Sequence, residues 1–203
     1  MIVAGIDAGS RMIKVVLLDA GTREVLAIGL ADQGVQQAQR TEALFEDTLR
    51  RAELTRGDVA RTVATGYGRD AVEFADTTIT EITCHARGVR HQSPDARTVI
   101  DIGGQDSKVI RLDPEGRVRD FMMNDRCAAG TGRFLELVAQ RLEMPLEELG
   151  AAAGRAQHRA VISSMCAVFA ETEIVGLLSS GERPEDIVAG VQAAMSSRVA
   201  AMA

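Results

Sequence analysis

Two short turns that combine aspartate with glycine could bind a phosphate group. The first loop, residues 7–10, is Asp-Ala-Gly-Ser, and the second loop, residues 101–106, is Asp-Ile-Gly-Gly-Gln-Asp. Each lies between two apolar runs. Glycine lets backbone N–H groups come close to an anion, and a carboxylate at a strand end can hold a hydrated Mg²⁺ ion. The residue types therefore predict two phosphate-binding loops, although either turn alone could equally be an ordinary hairpin turn.

A lysine comes after each loop at a similar distance. Lys14 lies four positions after Ser10, and Lys108 lies four positions after Gly104. Such an internal repeat is more specific than either turn alone, and two such turns facing each other would hold a polyphosphate from both sides. The sequence contains neither a GxxxxGK[ST] motif nor a GxGxxG motif, so it lacks the signatures of P-loop and Rossmann nucleotide sites.

Two of the three cysteines, Cys127 and Cys166, come directly before predicted helices. The unpaired N–H donors of a helix N-terminus stabilise a thiolate and an anionic cluster. Zinc and iron–sulfur sites usually need four ligands, and a two-fold dimer would supply two cysteines from each chain. Two buried, unligated cysteines remain the alternative on spacing alone.

The third cysteine, Cys84, is followed by His85, and we expect a half-buried cysteine beside a surface histidine on a helix.

Composition limits the class of protein. The chain has 203 residues, of which 46% are hydrophobic and 26% charged, so we expect one large or two small globular domains. A net charge of −6 without a basic block, together with 3% aromatic residues, argues against nucleic-acid binding. The first residues lack a basic segment and no run approaches a membrane span, so we expect a cytoplasmic protein without a membrane partner. The odd number of cysteines argues against structural disulfides.

Apolar patterns predict the elements that would position these residues. Strands are expected at 2–6, 12–18, 25–30, 59–64, 99–100, 109–112 and 118–123, the first three as a meander with short turns. Helices are expected at 41–52 with Thr41 as N-cap, at 81–90, at 131–142, at 167–178 and after Pro184. In the 167–178 helix the residues in helical register are Val168, Phe169, Thr172, Val175 and Leu178. Residues 150–154 predict a break of small residues, and 161–166 a short strand or extended segment.

Several of these stretches closely resemble one protein family. The longest matches are DIGGQD at 101–106, DFMMND at 120–125 and CAAGTGRFLE at 127–136. Further matches are GIDxGS at 5–10, TGYGR at 65–69, EITCHA at 81–86 and SMCAVFAE at 164–171. They resemble the ATPase activators of 2-hydroxyacyl-CoA dehydratases, such as the activator of 2-hydroxyglutaryl-CoA dehydratase, and the related ATP-binding subunits of benzoyl-CoA reductase. The matches span residues 5–171, and the central block is highly specific.

The resemblance implies an α/β chain with the actin-like, sugar-kinase-like and chaperone-like ATPase fold. Two related subdomains, residues 1–95 and 96–203, would each have a mixed sheet flanked by helices. It also implies a homodimer that binds one [4Fe–4S] cluster through Cys127 and Cys166 of both subunits. Ferredoxin or flavodoxin would donate an electron, and ATP hydrolysis would drive it at low potential into a 2-hydroxyacyl-CoA dehydratase or a benzoyl-CoA reductase-type enzyme.

The same resemblance assigns roles to single residues. Asp7 and Asp101 would hold Mg²⁺ through water, and Gln105 would orient the attacking water without transferring a proton. The phosphates of ATP or ADP would be cradled or neutralised by Gly9, Ser10, Lys14, Gly103 and Gly104. The segment that would link the nucleotide to Cys127, so that a shift dependent on the γ-phosphate could move the cluster helix, is Ala129, Gly130 and Thr131.

The chain departs from the family at its C-terminus, and two other functions are open to it. Family members usually continue past the final helix into a strand and a Gly-Gly turn that contacts adenosine, whereas this chain ends at Ala203, so we expect a C-terminally truncated fold. A small-molecule kinase of the same fold would share both phosphate loops, but the sequence offers no strong candidate for its catalytic base or sugar pocket. A non-catalytic iron–sulfur dimerisation fragment is the other alternative.

Overall fold

A five-stranded mixed sheet forms the centre of unit 1, Met1–Pro94. The computed structural model describes residues 1–164 and 166–203, so Met165, in the predicted extended segment, lies outside the described residues. The strands of unit 1 are β1 (Ile2–Ala8), β2 (Met12–Asp19), β3 (Val25–Asp32), β4 (Val59–Thr65) and β5 (Thr77–Thr78). Their order is β3-β2-β1-β4-β5, with the predicted antiparallel meander β1 to β3 and parallel pairs β1–β4 and β4–β5.

Helix α1 (Gln37–Arg51) covers this sheet, because Phe45 and Leu49 pack in one cluster with the buried side chains of β1 and β2. The prediction that Thr41 caps this helix is wrong. Thr41 lies inside the helix, is 0% exposed and donates its hydroxyl proton to the Gln37 carbonyl at 2.8 Å. A second helix, α2 (Glu81–Gln92), begins after Thr80, whose side chain accepts from Thr83 N–H as an N-cap.

Unit 2, Asp95–Ala203, repeats the meander with three antiparallel strands. They are β6 (Thr98–Ile102), β7 (Ser107–Leu112) and β8 (Val118–Asn124), in the order β6-β7-β8. The predicted strands of both units are confirmed, and each extends beyond its predicted bounds because the residues that flank the apolar runs also join the ladders. Each phosphate-binding loop predicted from sequence therefore joins the first two strands of a meander.

Four helices come after the second meander. They are α3 (Gly132–Arg141), α4 (Leu149–Gly154), α5 (Ala167–Ser179) and α6 (Pro184–Ala200), and a single 3₁₀ turn, Ala128–Gly130, precedes α3. The predicted small-residue break at 150–154 is wrong, because these residues form most of α4. Alanine is the best helix former, and Leu149 and Ala152 are buried as α4 packs against α6.

Helix α5 buries a different face from the one that its longest apolar residues suggest. Its buried residues are Ala170 and Ile174, which pack with residues of α3 and α6, whereas Val168 and Phe169 are 66% and 68% exposed. The predicted final helix is confirmed as α6, and no strand is assigned to the described residues of the 161–166 segment. Within residues 1–164 and 166–203, no helix is both long and apolar enough to span a membrane.

Candidate functional site

The first loop is a tight hairpin in which Asp7 faces Lys14. These residues are cross-strand partners, and Lys14 Nζ lies 2.8 Å from Asp7 Oδ2, with both side chains about a third to a half exposed. The loop closes through a hydrogen bond from Gly9 N–H to the Met12 carbonyl, 3.1 Å long. A Cβ at Gly9 would lie 2.7 Å from that carbonyl oxygen, so only glycine fits this approach. The loop therefore presents a carboxylate, an ammonium group and open backbone together.

A cavity of about 350 Å³ in unit 1 has Asp7 in its wall. Thr65, the register partner of Asp7 on β4, also lines it, and Thr65 Oγ1 is buried without a hydrogen-bond partner among the described residues. At Gly66 the backbone has φ of +86°, and a Cβ would lie 2.4 Å from Asp7 Oδ1. A buried unpaired hydroxyl beside a carboxylate, with no side chain filling the space, fits a hydrated cation. Helix α2 contributes the half-buried Cys84 to the same wall.

The second loop repeats the aspartate–lysine pair in a buried setting. Asp101 and Lys108 are cross-strand partners, and Lys108 Nζ lies 3.6 Å from Asp101 Oδ2 and 2.5 Å from Asp106 Oδ2. The side chains of Lys108 and Asp106 are only 3% and 5% exposed. Neither of these two residues was predicted as a site residue from the sequence. The repeat noted in the sequence already pointed to Lys108, and the equal spacing of aspartate and lysine in both hairpins (14 − 7 and 108 − 101) was the signal for including it in the site.

The second loop is hydrogen-bonded to the start of α3, close to Cys127 in the sequence. The Gly132 N–H donates to the Gly103 carbonyl at 2.8 Å, and the Arg133 N–H donates to the Gly104 carbonyl at 3.0 Å. The Ser107 hydroxyl donates to the Gly130 carbonyl as well. Because the first backbone donors of α3 are bonded to the loop, a displacement of the loop has to be transmitted to α3 or to break these bonds.

The remaining predicted residues of this region differ in exposure. Gln105 is exposed at the tip of the second loop. Ala129, Gly130 and Thr131 are all buried, and the Thr131 hydroxyl donates to the Ala128 carbonyl at 2.7 Å. The predicted linking segment is therefore a packed turn held by its own hydrogen bonds.

Cys127 and Cys166 both occupy helix N-cap positions. Cys127 precedes the 3₁₀ turn and Cys166 precedes α5. All three cysteines are among the described residues, and none forms a disulfide. Cys127 is half-buried and Cys166 is exposed, and both Cys127 and Ala167 pack against the same hydrophobic cluster of unit 2. The Asn124 side chain fixes the Cys127 backbone, since its amide donates to the Cys127 carbonyl at 2.9 Å and its oxygen accepts from the Cys127 N–H at 3.0 Å.

One group of carboxylate and imidazole side chains in the described part of the chain has metal-binding spacing: His158, Glu182 and Asp186. It contains no cysteine. The whole chain has three cysteines, so a four-thiolate site needs more than one copy of it. Asp186 accepts hydrogen bonds from the backbone N–H of His158 and of Gln157, and the first of these, against the opposing effect of burial, is the main cause of its lowered pKa. The His158 ring nitrogens lie 2.5 Å from Glu182 Oε1 and 3.6 Å from Asp186 Oδ2.

Comparison with known proteins identifies a family with the same sequence pattern and fold. Residues 4–203 match the family model described as the BadF/BadG/BcrA/BcrD ATPase family. The activator of lactoyl-CoA dehydratase from Anaerotignum propionicum is 45% identical, over 100% of this chain and 78% of the relative. Component A of (R)-2-hydroxyglutaryl-CoA dehydratase from Acidaminococcus fermentans superposes with a TM-score of 0.93 at 40% identity, over 100% of this chain and 77% of that one.

A second solved structure is that of a related protein with a bound nucleotide analogue. It is the activator of the 2-hydroxyisocaproyl-CoA dehydratase from Clostridium difficile with bound ADPNP, with a TM-score of 0.91 and 42% identity over 99% of this chain and 74% of that one. A benzoyl-CoA reductase subunit from Thauera aromatica is a more distant relative, 33% identical over 98% of this chain and 71% of the relative. Structures of only 14% identity share the actin-like and sugar-kinase-like ATPase fold predicted from the sequence.

Proposed function

This chain belongs to the BadF/BadG/BcrA/BcrD ATPase family, and from that membership we propose that it is an ATP-hydrolysing iron–sulfur activator of a 2-hydroxyacyl-CoA dehydratase. One observation carries the proposal. The predicted phosphate loop at Gly103 and Gly104 is hydrogen-bonded to the first turn of α3, and α3 begins five positions after Cys127 (132 − 127). A nucleotide loop and a candidate cluster ligand thus share one small hydrogen-bonded region.

ATP or ADP with Mg²⁺ would bind at the two loops. In this proposal Asp7 and Asp101 hold the hydrated ion, and the orphan hydroxyl of Thr65 beside Asp7 supports a ligand at the first loop. The residues that would cradle or neutralise the phosphates are Gly9, Ser10, Lys14, Gly103 and Gly104. Exposed Gln105 would orient the water that attacks the γ-phosphate. The ADPNP bound to the related activator is consistent with this assignment.

Cys127 and Cys166 would bind a [4Fe–4S] cluster across a homodimer. Each chain offers two cysteines at helix N-cap positions and a four-thiolate site needs four thiols, so two copies complete the ligand set. Exposed apolar side chains next to Cys166, namely Val168 and Phe169, supply surface that a second copy could cover. When bound, the cluster would supply one-electron chemistry, and Cys127 and Cys166 would hold it.

The partner enzyme is inferred from the relatives. Dehydratase activators are 42–45% identical to this chain, whereas the benzoyl-CoA reductase subunit is 33% identical, so a 2-hydroxyacyl-CoA dehydratase is favoured over a benzoyl-CoA reductase-type enzyme. A ferredoxin or flavodoxin would donate the electron that the dimer passes on.

Coupling between nucleotide and cysteine would run through Ala129, Gly130 and Thr131. These residues are buried, and the Ser107 hydroxyl ties Gly130 to the strand after the second loop. A loop that contracts around the γ-phosphate and relaxes after hydrolysis would pull on α3 and on this turn, a small shift that a packed turn transmits instead of absorbing.

Anaerobic purification followed by iron analysis and an ATPase assay tests the proposal. We expect a brown dimer with about four irons, as one Cys₄ cluster requires, and ATP turnover that supports reduction of a dehydratase. A brown protein that does not turn over ATP would indicate the non-catalytic dimerisation module. A colourless protein that phosphorylates a sugar would replace the proposal with a kinase.

A further inference from the structure

We propose that Glu173 is a positioning residue for Cys166, because its carboxylate fixes the chain segment that leads into this cysteine. The inference rests on the proposed function, since it concerns how the chain presents one of the two thiolates. Glu173 lies on α5, which begins directly after Cys166. Its side chain points back past the start of the helix instead of pairing along it.

The carboxylate of Glu173 accepts hydrogen bonds from the backbone N–H and the hydroxyl of Ser163 and from the backbone N–H of Ser164. Oε1 accepts from the Ser163 N–H at 2.9 Å and from the Ser163 hydroxyl at 2.8 Å. Oε2 accepts from the Ser164 N–H at 3.0 Å. Ser164 lies two positions before Cys166, so this contact fixes the backbone close to the thiol in the sequence.

A second helix holds the other side of Ser164. The Ser164 carbonyl accepts from Arg198 Nη2 at 2.6 Å, and Arg198 belongs to α6. The same arginine lines a cavity of about 280 Å³ together with Cys127 and Asn124. Ser164 is therefore held between α5 and α6, and the arginine that holds it on the α6 side lines the same cavity as the other cysteine.

The ionised carboxylate of Glu173 suits this position because both of its oxygens can accept hydrogen bonds. Burial opposes ionisation of Glu173, but the hydrogen bonds from Ser163 and Ser164 outweigh it and lower its pKa to about 2. Near neutral pH both oxygens are therefore acceptors. Glutamine would place an NH₂ donor where one oxygen now accepts, which leaves at least one of the three donors unpaired.

The test compares Glu173→Gln with Glu171→Gln in the anaerobically purified protein. Glu171 is a matched control because it lies on the same helix and carries the same charge, but its carboxylate pairs with Arg141. We expect Glu173→Gln to release iron to a chelator roughly 10-fold to 100-fold faster than wild type, as loss of a supporting contact to a metal ligand typically does. The control should release iron at the wild-type rate.

Two further measurements separate positioning from general destabilisation. The urea midpoint of the iron-free protein reports stability, and the EPR spectrum of the reduced protein reports ligand geometry. An altered EPR spectrum in Glu173→Gln supports positioning, because lower stability alone does not change it. Equal iron release from wild type and Glu173→Gln would overturn the inference, and so would equal acceleration in both variants, which would indicate charge alone.

Ser163→Ala covers the case in which Glu173→Gln does not fold. It removes only the hydroxyl donor to Glu173 Oε1, and a smaller acceleration of iron release is expected. No acceleration would overturn the inference. A wild-type dimer that binds no iron would instead overturn the proposed function and this inference with it, so the two failures are distinguishable.

Discussion

At the scale of single residues, the lysines of the two hairpins contact aspartates in different surroundings. Lys14 and Asp7 are partly exposed, whereas Lys108 and Asp106 are almost fully buried. Removal of one partner from a buried pair leaves the other charge without compensation, whereas exposed pairs contribute little because water and salt screen them. The second pair should therefore serve the fold as well as the nucleotide.

We expect Lys108→Met to lower the free energy of unfolding of the nucleotide-free protein by about 3–5 kcal/mol, because Asp106 would be left buried without its ammonium partner. Lys14→Met is the matched control, and its expected cost is about 0–1 kcal/mol. Urea denaturation followed by circular dichroism measures both. Similar values for the two variants would contradict the assignment of Lys108 to a structural role.

We expect Gln105 to act in the catalytic step alone. It is exposed at a loop tip, so Gln105→Ala should leave the fold and the iron content unchanged. Loss of water orientation should lower ATP turnover by about 100-fold, the scale of effect expected when a reacting group is misplaced. Unchanged turnover in a steady-state phosphate-release assay would refute its role.

At the scale of elements, strands were predicted better than helix boundaries. The alternation of Ile13, Val15 and Leu17 on β2 leaves one interpretation, since all three face the core. Thr41 was assigned as an N-cap because its hydroxyl suits one, yet its place on the apolar face buries it inside α1. The residue type alone cannot distinguish an N-cap threonine from one inside a helix, because the hydroxyl of a threonine inside a helix can donate to a backbone carbonyl of the same helix.

Neither the buried face of α5 nor the hydrogen bonds of the site could be predicted from apolar spacing. Val168 and Phe169 are the large residues, but Ala170 and Ile174 face the core because α3 and α6 approach on that side. The contacts of Gly132 with Gly103, and of Glu173 with Ser163, depend on how separate segments pack. Residue types identified the candidates, and tertiary structure determined which of them touch.

Acid should weaken the attachment of α5 to the segment before Cys166. The pKa of Glu173 falls from an ordinary 4.5 to about 2 in the folded protein. A depressed carboxyl pKa adds stability that is complete above the unfolded value and is lost as the pH falls towards the folded value. This contribution should therefore disappear between pH 4.5 and about 2.

Urea midpoints of iron-free wild type and Glu173→Gln at pH 7 and at low pH measure this loss. Wild type should be the more stable protein at pH 7, and the difference should shrink on acidification. The Glu171→Gln variant, measured in parallel, controls for the loss of one charge on α5. A difference between wild type and Glu173→Gln that stays constant from neutral pH down to about 2 would be evidence against the proposed anchor.

At the scale of the whole molecule, the proposed four-thiolate cluster would need a second copy, because the chain has only three cysteines. Unit 2 brings Cys127 and the start of α5 to one hydrophobic cluster, and Cys84 belongs to unit 1. If two chains share one four-thiolate cluster, a substitution of either cysteine of unit 2 removes two of the four ligands, one from each chain. We therefore expect Cys127→Ala and Cys166→Ala each to remove essentially all iron from the anaerobically purified protein, because two thiolates cannot hold a Cys₄ cluster.

Cys84→Ala is the control for both variants. Cys84 is half-buried, as Cys127 is, but it lines a cavity of unit 1 and lies outside the proposed ligand set. It should keep about four irons per dimer, the content of one Cys₄ cluster. Iron analysis combined with light scattering measures metal content and oligomeric state in one preparation. Iron that survives in either unit 2 variant, or iron lost from Cys84→Ala, would show that the cluster is bound differently from the arrangement proposed.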